Sequence, residues 1–237
     1  PPPVQTGPRS LAPAVGAPHA RIGLVQAAGP GAPLQVLAYS KFRCADYDSL
    51  AGILREFIAG LPGPGPHVAV IDSAGSPLPD GPVTTANLPW RLSPTEIRQA
   101  LDLEAVHLVN DFEAVAHAVA HLGASEVLQL AGPERIAPGP ILVLGPGTGL
   151  GAAVWIPTAN GPVVLATEAG QAALAAGTDL EMALVRQVLG PRSHVSVEHA
   201  LSGPGLMNLY GALCALRGAT PVLTRPGDIT AAALDGR

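Results

Sequence analysis

Positive charge is scarce in this chain of 237 residues, which has 13 lysines and arginines against 18 aspartates and glutamates. Lysine occurs once, at Lys41, and there is no run of basic residues. Nucleic acids and anionic membranes are bound through a positive surface. With a formal net charge of −5, the composition argues against nucleic acid or a membrane as the main partner.

Cysteine is also rare. Cys44 and Cys214 are the two in the chain, and they form no closely spaced metal or redox motif. We therefore predict a reduced protein with free thiols and a cytoplasmic location. The sequence also lacks the roughly 18 consecutive apolar residues of a membrane span, and no apolar segment of signal-peptide length stands near its start.

Few residues are charged (13%) or aromatic (3%), whereas 48% are apolar. This balance is typical of a globular protein with a sizeable core, in one large domain or two small ones. The 28 glycines and 26 prolines cluster at 1–18, 62–66 and 132–140. We predict loops at these clusters and a Pro-rich, disordered tail over residues 1–20.

Strand and helix patterns follow this tail. Asp46 is predicted to cap a helix whose apolar stripe begins at Leu50 and continues to Ile58. Ser93-Pro-Thr-Glu96 is a capping box with Pro at the first helical position, and it predicts a helix to about Ala100. Strands are predicted over 21–25, 34–38, 67–74 and 83–88, the first two as a hairpin.

An Asn-Asp pair stands where a short apolar run, 105–109, turns into a helical pattern that begins at Phe112. Asp111 is therefore predicted at a strand-to-helix corner. Such corners at the carboxyl ends of strands are favoured ligand sites in open α/β sheets. Asp111 is also typical of a helix N-cap, which these residues alone favour, and both interpretations stay open. A domain junction near this point predicts a small α/β domain over 21–109 and a large one over 110–237.

A glycine-rich segment, GPGTGLGA at 145–152, follows the apolar run 141–144, which predicts a buried strand. Glycines leave the backbone amides open to an anion, and Thr148 adds a hydroxyl donor. A phosphate-binding loop and an ordinary tight turn both fit this pattern.

Two other phosphate loops fit less well. A Walker loop needs a lysine after its last glycine, and the only lysine is at position 41. A dinucleotide loop is matched formally by Gly147-x-Gly149-x-x-Ala152, with Glu168 further on, but it requires a helix to follow. The residues that follow predict a hairpin instead, which disfavours a nicotinamide-dependent oxidoreductase. The histidines of HAVAH (117–121) lack a third ligand, so no metal site is predicted.

The stretch from about residue 20 to 235 resembles the bacterial glucokinases. The segments that carry the resemblance, in order, are NLPW (87–90), VNDFEAV (109–115), GPGTGLG (145–151), TEAGQ (167–171) and VSVEHALSGPGLMNLY (195–210). The resemblance implies an α/β, actin-like (ribonuclease H-like) two-domain ATPase fold with the second domain incomplete.

The resemblance also implies the chemistry: ATP-dependent phosphorylation of glucose to glucose 6-phosphate, with ATP and Mg²⁺, at the start of glycolysis. Asp111 matches the carboxylate that accepts the proton of the sugar's 6-hydroxyl. A homodimer is compatible with the sequence. The implied sugar-binding residues are Asn87, Asn110, Glu168, Gln171 (a histidine in most of the family) and Glu198, and the implied phosphate-binding residues are Gly16, Gly145, Gly147, Thr148, Gly149 and Gly151.

The first phosphate loop departs from the family pattern Asp-x-Gly-Gly-Thr-Asn-x-Arg, because residues 14–21 read AVGAPHAR. Ala14 replaces the acidic residue, and Pro18 removes a backbone donor. Family members also extend through a glycine-rich adenine-binding segment, whereas this chain stops at Arg237. Two hypotheses follow: a glucokinase (ATP:D-glucose 6-phosphotransferase), impaired or not in this chain, and a catalytically inactive, glucokinase-like sugar-binding remnant.

Overall fold

The structure is a computed structural model that describes residues 7–16, 18–27, 29, 34–73, 88–119, 121–133 and 139–236. The chain forms two compact units, Pro1–Leu130 and Ala131–Arg237. The division falls after residue 130 rather than at 109/110, so Asp111 lies inside the first unit. The strand predicted over 83–88 lies outside the described residues, apart from its last position.

The first unit contains a five-stranded sheet in the order β3-β2-β1-β4-β5. Strands β1, β2 and β3 are antiparallel, whereas β1, β4 and β5 run parallel. The hairpin predicted from residues 21–38 is β2 and β3. The bounds are Arg9–Val15 for β1, His19–Ala27 for β2, Leu34–Arg43 for β3, Val68–Ser73 for β4 and Ala105–Asn110 for β5.

Strand β1 corrects the prediction of a disordered tail over residues 1–20. It lies between β2 and β4, and Leu11 and Val15 are buried. The Pro-rich composition predicted a tail because a proline has no N–H to donate and is rare in a central strand, yet Pro13 lies in the middle of β1. The ladder between β1 and β4 skips Ala12 and Pro13, so the missing donor interrupts no paired position on that side.

Two helices cover one face of this sheet. Helix α1 (Leu50–Ala59) is capped by Ser49, whose hydroxyl accepts from the Gly52 amide at 3.2 Å. Asp46 belongs instead to a short 3-10 helix, Cys44–Asp46, so the predicted cap was wrong by three positions. Helix α2 (Pro94–Leu101) begins as predicted, with Ser93 Oγ accepting from the Glu96 amide at 3.3 Å.

The core of the first unit lies between these helices and the sheet. The apolar stripe predicted for α1 is confirmed, because Leu50, Ile53, Leu54 and Phe57 are buried. Alternate residues of the strands meet this stripe, as the two-residue period of a strand requires. These buried strand residues are Leu11, Val15, Ala20, Ile22, Leu24, Ala69 and Ile71.

Strand β5 leads directly into helix α3 (Asp111–Val119), which confirms the predicted strand-to-helix corner. Most residues of this strand are half-buried. No helix in the described ranges is long and apolar enough to cross a membrane.

The second unit begins with a three-stranded antiparallel sheet in the order β6-β7-β8. Leu142 and Leu144 of the edge strand β6 are more than half exposed, although their apolar run predicted a buried strand, because they alternate with the buried Val143 and lie on the other face of the sheet. Short 3-10 helices, Ala169–Gln171 and Val197–His199, join it to longer helices. The bounds are Ile141–Pro146 for β6, Leu150–Ile156 for β7, Val163–Thr167 for β8, Asp179–Leu189 for α4, Gly203–Leu216 for α5 and Pro226–Leu234 for α6.

A small core joins α4 and α5. Val188 of α4 and Ala212 of α5 are buried against Val195. Helix α4 starts at a complete capping box, in which Thr178 Oγ1 accepts from the Glu181 amide and the Glu181 carboxylate accepts from the Thr178 amide. Such boxes satisfy amides that the first helical turn leaves without partners.

Candidate functional site

Three parallel strands of the first unit end together. Ser73 of β4 is paired with Val15 of β1 on one side and with Asn110 of β5 on the other. The carboxyl ends of β1, β4 and β5 therefore share one edge of the sheet, which is where α/β sheets bind their ligands. Gly16 follows β1 at this edge, and Asp111 follows β5.

Asn110 is the residue that caps α3. Its Oδ1 accepts hydrogen bonds from the Phe112 amide at 2.9 Å and from the Glu113 amide at 3.2 Å. The Glu113 carboxylate in turn accepts from the Asn110 amide at 3.4 Å. This reciprocal arrangement has the pattern of a capping box, so the N-cap interpretation belongs to Asn110 and not to Asp111.

Asp111 is the first residue of α3 and is half-buried. Its Oδ1 accepts from the Phe112 amide at 2.9 Å, and its Oδ2 makes no hydrogen bond to any described residue. The corner thus holds this carboxylate in place and leaves one of its oxygens uncommitted. A fixed carboxylate with an uncommitted oxygen is the arrangement that a general base requires.

A second carboxylate, Asp72, lies at the same edge and was not recognised in the sequence. It is paired with Val109, two residues before Asp111, on the neighbouring parallel strand. Burial, and to a lesser extent the negative charge of Asp111, raises the pKa of Asp72 to about 6, although the positive charge of Arg21 partly opposes this rise. A charged residue inside the apolar run HVAVIDSA was the signal that could have revealed it.

The first phosphate loop connects β1 to β2. The Gly16 amide donates to the His19 carbonyl oxygen at 3.1 Å, and the Pro18 carbonyl oxygen accepts from the Cys44 amide at 3.2 Å. Pro18 has no amide to offer. In this conformation the Gly16 amide is therefore occupied, and its phosphate-binding role stays a prediction.

The glycine-rich segment of the second unit is the turn between β6 and β7, with Gly145 paired to Gly151. The predicted hairpin is therefore confirmed, and the helix that a dinucleotide loop requires is replaced by β7. The Gly147 amide donates to the Gly149 carbonyl oxygen at 2.7 Å. Within the described part of the chain, the amides of Thr148 and Gly149 make no hydrogen bond. Two uncommitted amides at an exposed turn are suited to a phosphate oxygen.

Glu198 is brought to this turn. Its Oε2 accepts from the Leu150 amide at 2.8 Å, and its Oε1 accepts from Gln171 Nε2 at 3.1 Å. A Cβ atom on Gly149 would overlap Glu198 Oε2, so this close approach requires glycine. The structure thus brings together Glu198, Gln171 and the turn, three features that stand far apart in the sequence.

Glu168 lies beside this group. Its carbonyl oxygen accepts from the Gln171 amide at 2.9 Å, which closes the 3-10 helix Ala169–Gln171. The Glu168 carboxylate is exposed and makes no hydrogen bond to a described residue. The two predicted sugar-binding glutamates therefore differ, because Glu198 is anchored through both oxygens and Glu168 is not.

The segment VSVEHALSGPG (195–205) also forms hydrogen bonds that hold the glycine-rich turn and Glu198 in place. Ser202 Oγ donates to the Glu198 carbonyl oxygen at 2.8 Å and accepts from the Gly205 amide at 2.9 Å, which caps α5. The Gly203 amide donates to the Gly147 carbonyl oxygen at 2.8 Å. His199 accepts at Nδ1 from the Ser196 amide at 3.0 Å.

We expect Gly149→Ala to destabilise the second unit, because the added methyl group displaces a carboxylate that accepts two hydrogen bonds. The expected loss is about 1–3 kcal/mol in the free energy of unfolding. Gly147→Ala is the matched control, since a Cβ there meets nothing within 4 Å. Urea denaturation of both variants measures the difference, and equal stabilities would show that Glu198 moves aside without cost.

Asn87 lies outside the described residues. The other predicted site residues fall into the two groups described above, with Gly16, Asn110 and Asp111 in the first unit and the glycine-rich turn, Glu168, Gln171 and Glu198 in the second.

Comparison with known proteins agrees with these features. A family model described as Glucokinase matches residues 11–237. A "Glucokinase-like protein" of Xylella fastidiosa (strain 9a5c) is 51% identical over 230 residues, which cover 97% of this chain and 68% of that protein. A "Glucokinase" of Paramagnetospirillum magneticum is 39% identical over 223 residues, covering 94% of this chain and 68% of that protein.

A crystal structure of glucokinase from an Antarctic psychrotroph superposes with a TM-score of 0.84 at 32% identity, covering 96% of this chain and 71% of that chain. The mixed α/β architecture with a glycine-rich hairpin is that of the actin-like ATPase fold, in the form found in sugar kinases. With its motifs and the match over residues 11–237, the chain belongs to the glucokinase family.

Proposed function

We propose that this protein transfers the γ-phosphoryl group of Mg-ATP to the 6-hydroxyl of glucose. A bond forms between the sugar's O6 and the γ-phosphorus, the bond from that phosphorus to the β,γ-bridging oxygen breaks, and ADP leaves. The proton of the 6-hydroxyl passes to the Asp111 carboxylate. The observation that carries this proposal is the corner at which Asn110 caps α3 and leaves Asp111 Oδ2 uncommitted.

A raised basicity at Asp111 is not needed for this step. Phosphoryl transfer passes through a loose transition state, in which the attacking hydroxyl loses its proton late. A carboxylate that orients the hydroxyl and then accepts its proton is sufficient. Rigidity therefore matters more than pKa, and the corner supplies rigidity through the hydrogen bond from the Phe112 amide.

Sugar recognition is assigned to Asn87, Asn110, Glu168, Gln171 and Glu198 by their match to the family motifs. Carboxylates that accept from sugar hydroxyls discriminate sharply, because a sugar without the hydroxyl leaves a desolvated acceptor without a donor. Glu168 has its whole carboxylate available. Glu198 already accepts from Leu150 and Gln171, so a sugar hydroxyl would use a remaining lone pair.

The phosphate chain of ATP is assigned to the glycine-rich turn. The uncommitted amides of Thr148 and Gly149 and the exposed Thr148 side chain are the donors there. Magnesium enters as part of the Mg-ATP substrate, held largely by the phosphates themselves.

The inactive sugar-binding candidate rests on a different observation. In the first phosphate loop Ala14 stands where the family has an acidic residue, Pro18 has no amide, and the Gly16 amide is bonded to His19. These losses weaken ATP binding and leave the sugar-binding residues intact. This candidate predicts glucose binding without turnover.

The deciding experiment is a glucose 6-phosphate assay coupled to NADP reduction, beside calorimetric titrations with glucose and with Mg-ATP. ATP-dependent formation of glucose 6-phosphate supports the kinase. Glucose binding without product supports the inactive candidate, and absence of glucose binding contradicts both.

Glu168→Gln is expected to weaken glucose binding by about tenfold or more, because a charged acceptor becomes a neutral group that also carries donors. Stability should be unchanged, since Glu168 makes no hydrogen bond through its carboxylate to the described residues. Calorimetry and thermal melting measure the two quantities. Asp179→Asn, at an exposed position of the same unit, is the control. Unaltered glucose affinity in the Glu168 variant would remove this residue from the sugar site.

A further inference from the structure

Four basic side chains form a block on the sheet of the first unit. In the ladder between β2 and β3, His19 is paired with Arg43 and Arg21 with Lys41. Directly opposite side chains in an antiparallel pair share one face of the sheet. Their neighbours Ala20, Ile22 and Phe42 point into the core, so the block occupies the face away from α1 and α2.

The arrangement works against folding. Like charges directly opposite each other destabilise a strand pair. Burial lowers the pKa of His19, and the charges of Lys41, Arg21 and Arg43 lower it further. The block also holds the only lysine of a chain whose net charge is −5.

Nearby carboxylates neutralise the block only in part. Arg43 approaches Asp46 at 4.0 Å, with both side chains more than half exposed, and such an ion pair contributes little. Asp72 lies across Ala14 from Arg21, and the opposite charges of these two side chains interact. Lys41 has no ion-pair partner among the described residues. A concentrated positive charge that acidic groups match only in part attracts an anion.

The block lies at the same edge of the sheet as the candidate site. His19 begins β2 directly after the loop that contains Gly16, and Arg43 ends β3 beside that loop. The Pro18 carbonyl oxygen of the loop accepts from the amide of Cys44, the residue after Arg43. The positive charge therefore adjoins the loop whose own phosphate donors are reduced.

We propose that His19, Arg21, Lys41 and Arg43 form a binding site for a short phosphate chain. Arg21 and Arg43 supply planar guanidinium groups that bind phosphate oxygens in pairs, and Lys41 supplies a point charge between them. The site replaces amide donors that the Gly16 loop does not offer. Its assignment to the triphosphate of ATP rests on the proposed function, whereas binding of a phosphate chain does not.

The size and charge of the basic block favour a short phosphate chain over a nucleic acid as its ligand. The block measures roughly 5 Å across the strands and 7 Å along them, from the spacings of a β-sheet. A duplex needs a positive surface that follows its backbone over a much longer distance. The rest of this acidic chain would repel such an extended polyanion.

The test is calorimetric titration of the full chain with tripolyphosphate, without glucose, so that an inactive enzyme still gives a result. We expect the parent to bind and the double variant Lys41→Gln with Arg43→Gln to bind at least about tenfold more weakly, because two charge-assisted contacts are lost. Arg55→Gln is the control with the same kind of charge change, at an exposed position of α1 on the opposite face. Its affinity should stay within about twofold of the parent.

Thermal melting separates binding from folding. Removing like charges from β3 should leave the melting temperature of the double variant equal to or above that of the parent. If the double variant melts at a lower temperature, the single variant Lys41→Gln replaces it in the titration, with an expected loss of tripolyphosphate affinity of about threefold. If Mg-ATP displaces tripolyphosphate, the natural ligand of the site is the triphosphate of a nucleotide. If tripolyphosphate binds and Mg-ATP does not displace it, the natural ligand is an inorganic phosphate chain. A parent that binds no tripolyphosphate, a double variant with unchanged affinity, or tighter binding of a short DNA duplex would overturn the proposal.

Discussion

Asp111→Asn is expected to lower the turnover number by about 10²–10⁴-fold, while the glucose dissociation constant changes by less than about threefold. An amide keeps the shape of the side chain and the acceptor for the Phe112 amide, so the corner and the helix should survive. It cannot take the proton of the sugar hydroxyl. An interaction used only in the transition state affects turnover and leaves ground-state binding nearly unchanged.

Steady-state kinetics and glucose calorimetry on the same preparations measure the two effects. Asp48→Asn, an exposed position of the same unit, is the matched control and should retain the parent turnover. Near-normal turnover of the Asp111 variant would exclude it as the base. A parent chain without turnover would contradict the kinase proposal and favour the inactive candidate.

Asp72→Asn is expected to stabilise the protein at pH 7 by up to about 3 kcal/mol, which corresponds to the rise of the Asp72 pKa from 3.8 to about 6. Because the pKa is higher in the folded state than in the unfolded one, the folded state holds its proton more tightly. The stabilisation from this proton is complete below pH 4 and is lost as the pH rises through about 6. Asparagine is neutral throughout and avoids that loss.

Urea denaturation of parent and variant between pH 4 and pH 8 tests this prediction. The two free energies of unfolding should agree near pH 4 and separate as the pH rises. In an Asp111→Asn background, the difference in free energy of unfolding between the protein with Asp72 and its Asp72→Asn variant should be smaller, because the Asp111 charge is the second cause of the raised Asp72 pKa. Parallel curves for the parent and the Asp72 variant would show that Asp72 is as well solvated in the folded protein as in the unfolded one.

Asp72 also bears on the candidate site. Above about pH 6 two carboxylates at one sheet edge carry charge, with Arg21 as the cation that interacts with Asp72. Asp72 is thus a source of negative charge beside the proposed base, on the opposite side of Ala14 from the basic block. Its cost in stability at neutral pH is typical of functional sites, where residues that fit poorly into a fold are retained.

Local patterns determined several elements from sequence alone. The helix at Pro94–Leu101 follows from Ser93, Pro94 and Glu96, whose contacts lie within one turn. The hairpin around the glycine-rich turn follows from two strand patterns that flank a segment only glycines can form. The Asp111 corner follows in the same way, from an apolar run that changes to helical spacing within a few residues. In each case the groups that interact are neighbours in the chain, so the local sequence is enough to predict the element.

Tertiary structure decided the elements whose partners are distant in the chain. Residues 9–15 read as a Pro-rich tail, and only pairing with β2 and β4 makes them the central strand. The cap of α3 passed to Asn110 because the geometry of the corner selects between two adjacent side chains that cap equally well.

The candidate site likewise has features that local motifs predicted and features that depend on contacts between distant parts of the chain. The motifs proposed Asp111, Glu168, Glu198 and the glycine-rich turn as candidates, but they did not predict that Glu198 is anchored to the Leu150 amide. Asp72 acquires its raised pKa from burial and from Asp111 on a neighbouring strand. The basic block exists because one register out of several opposes Arg21 to Lys41 and His19 to Arg43. Register between strands depends on which faces are buried and how the connections close, and this information belongs to the folded chain as a whole.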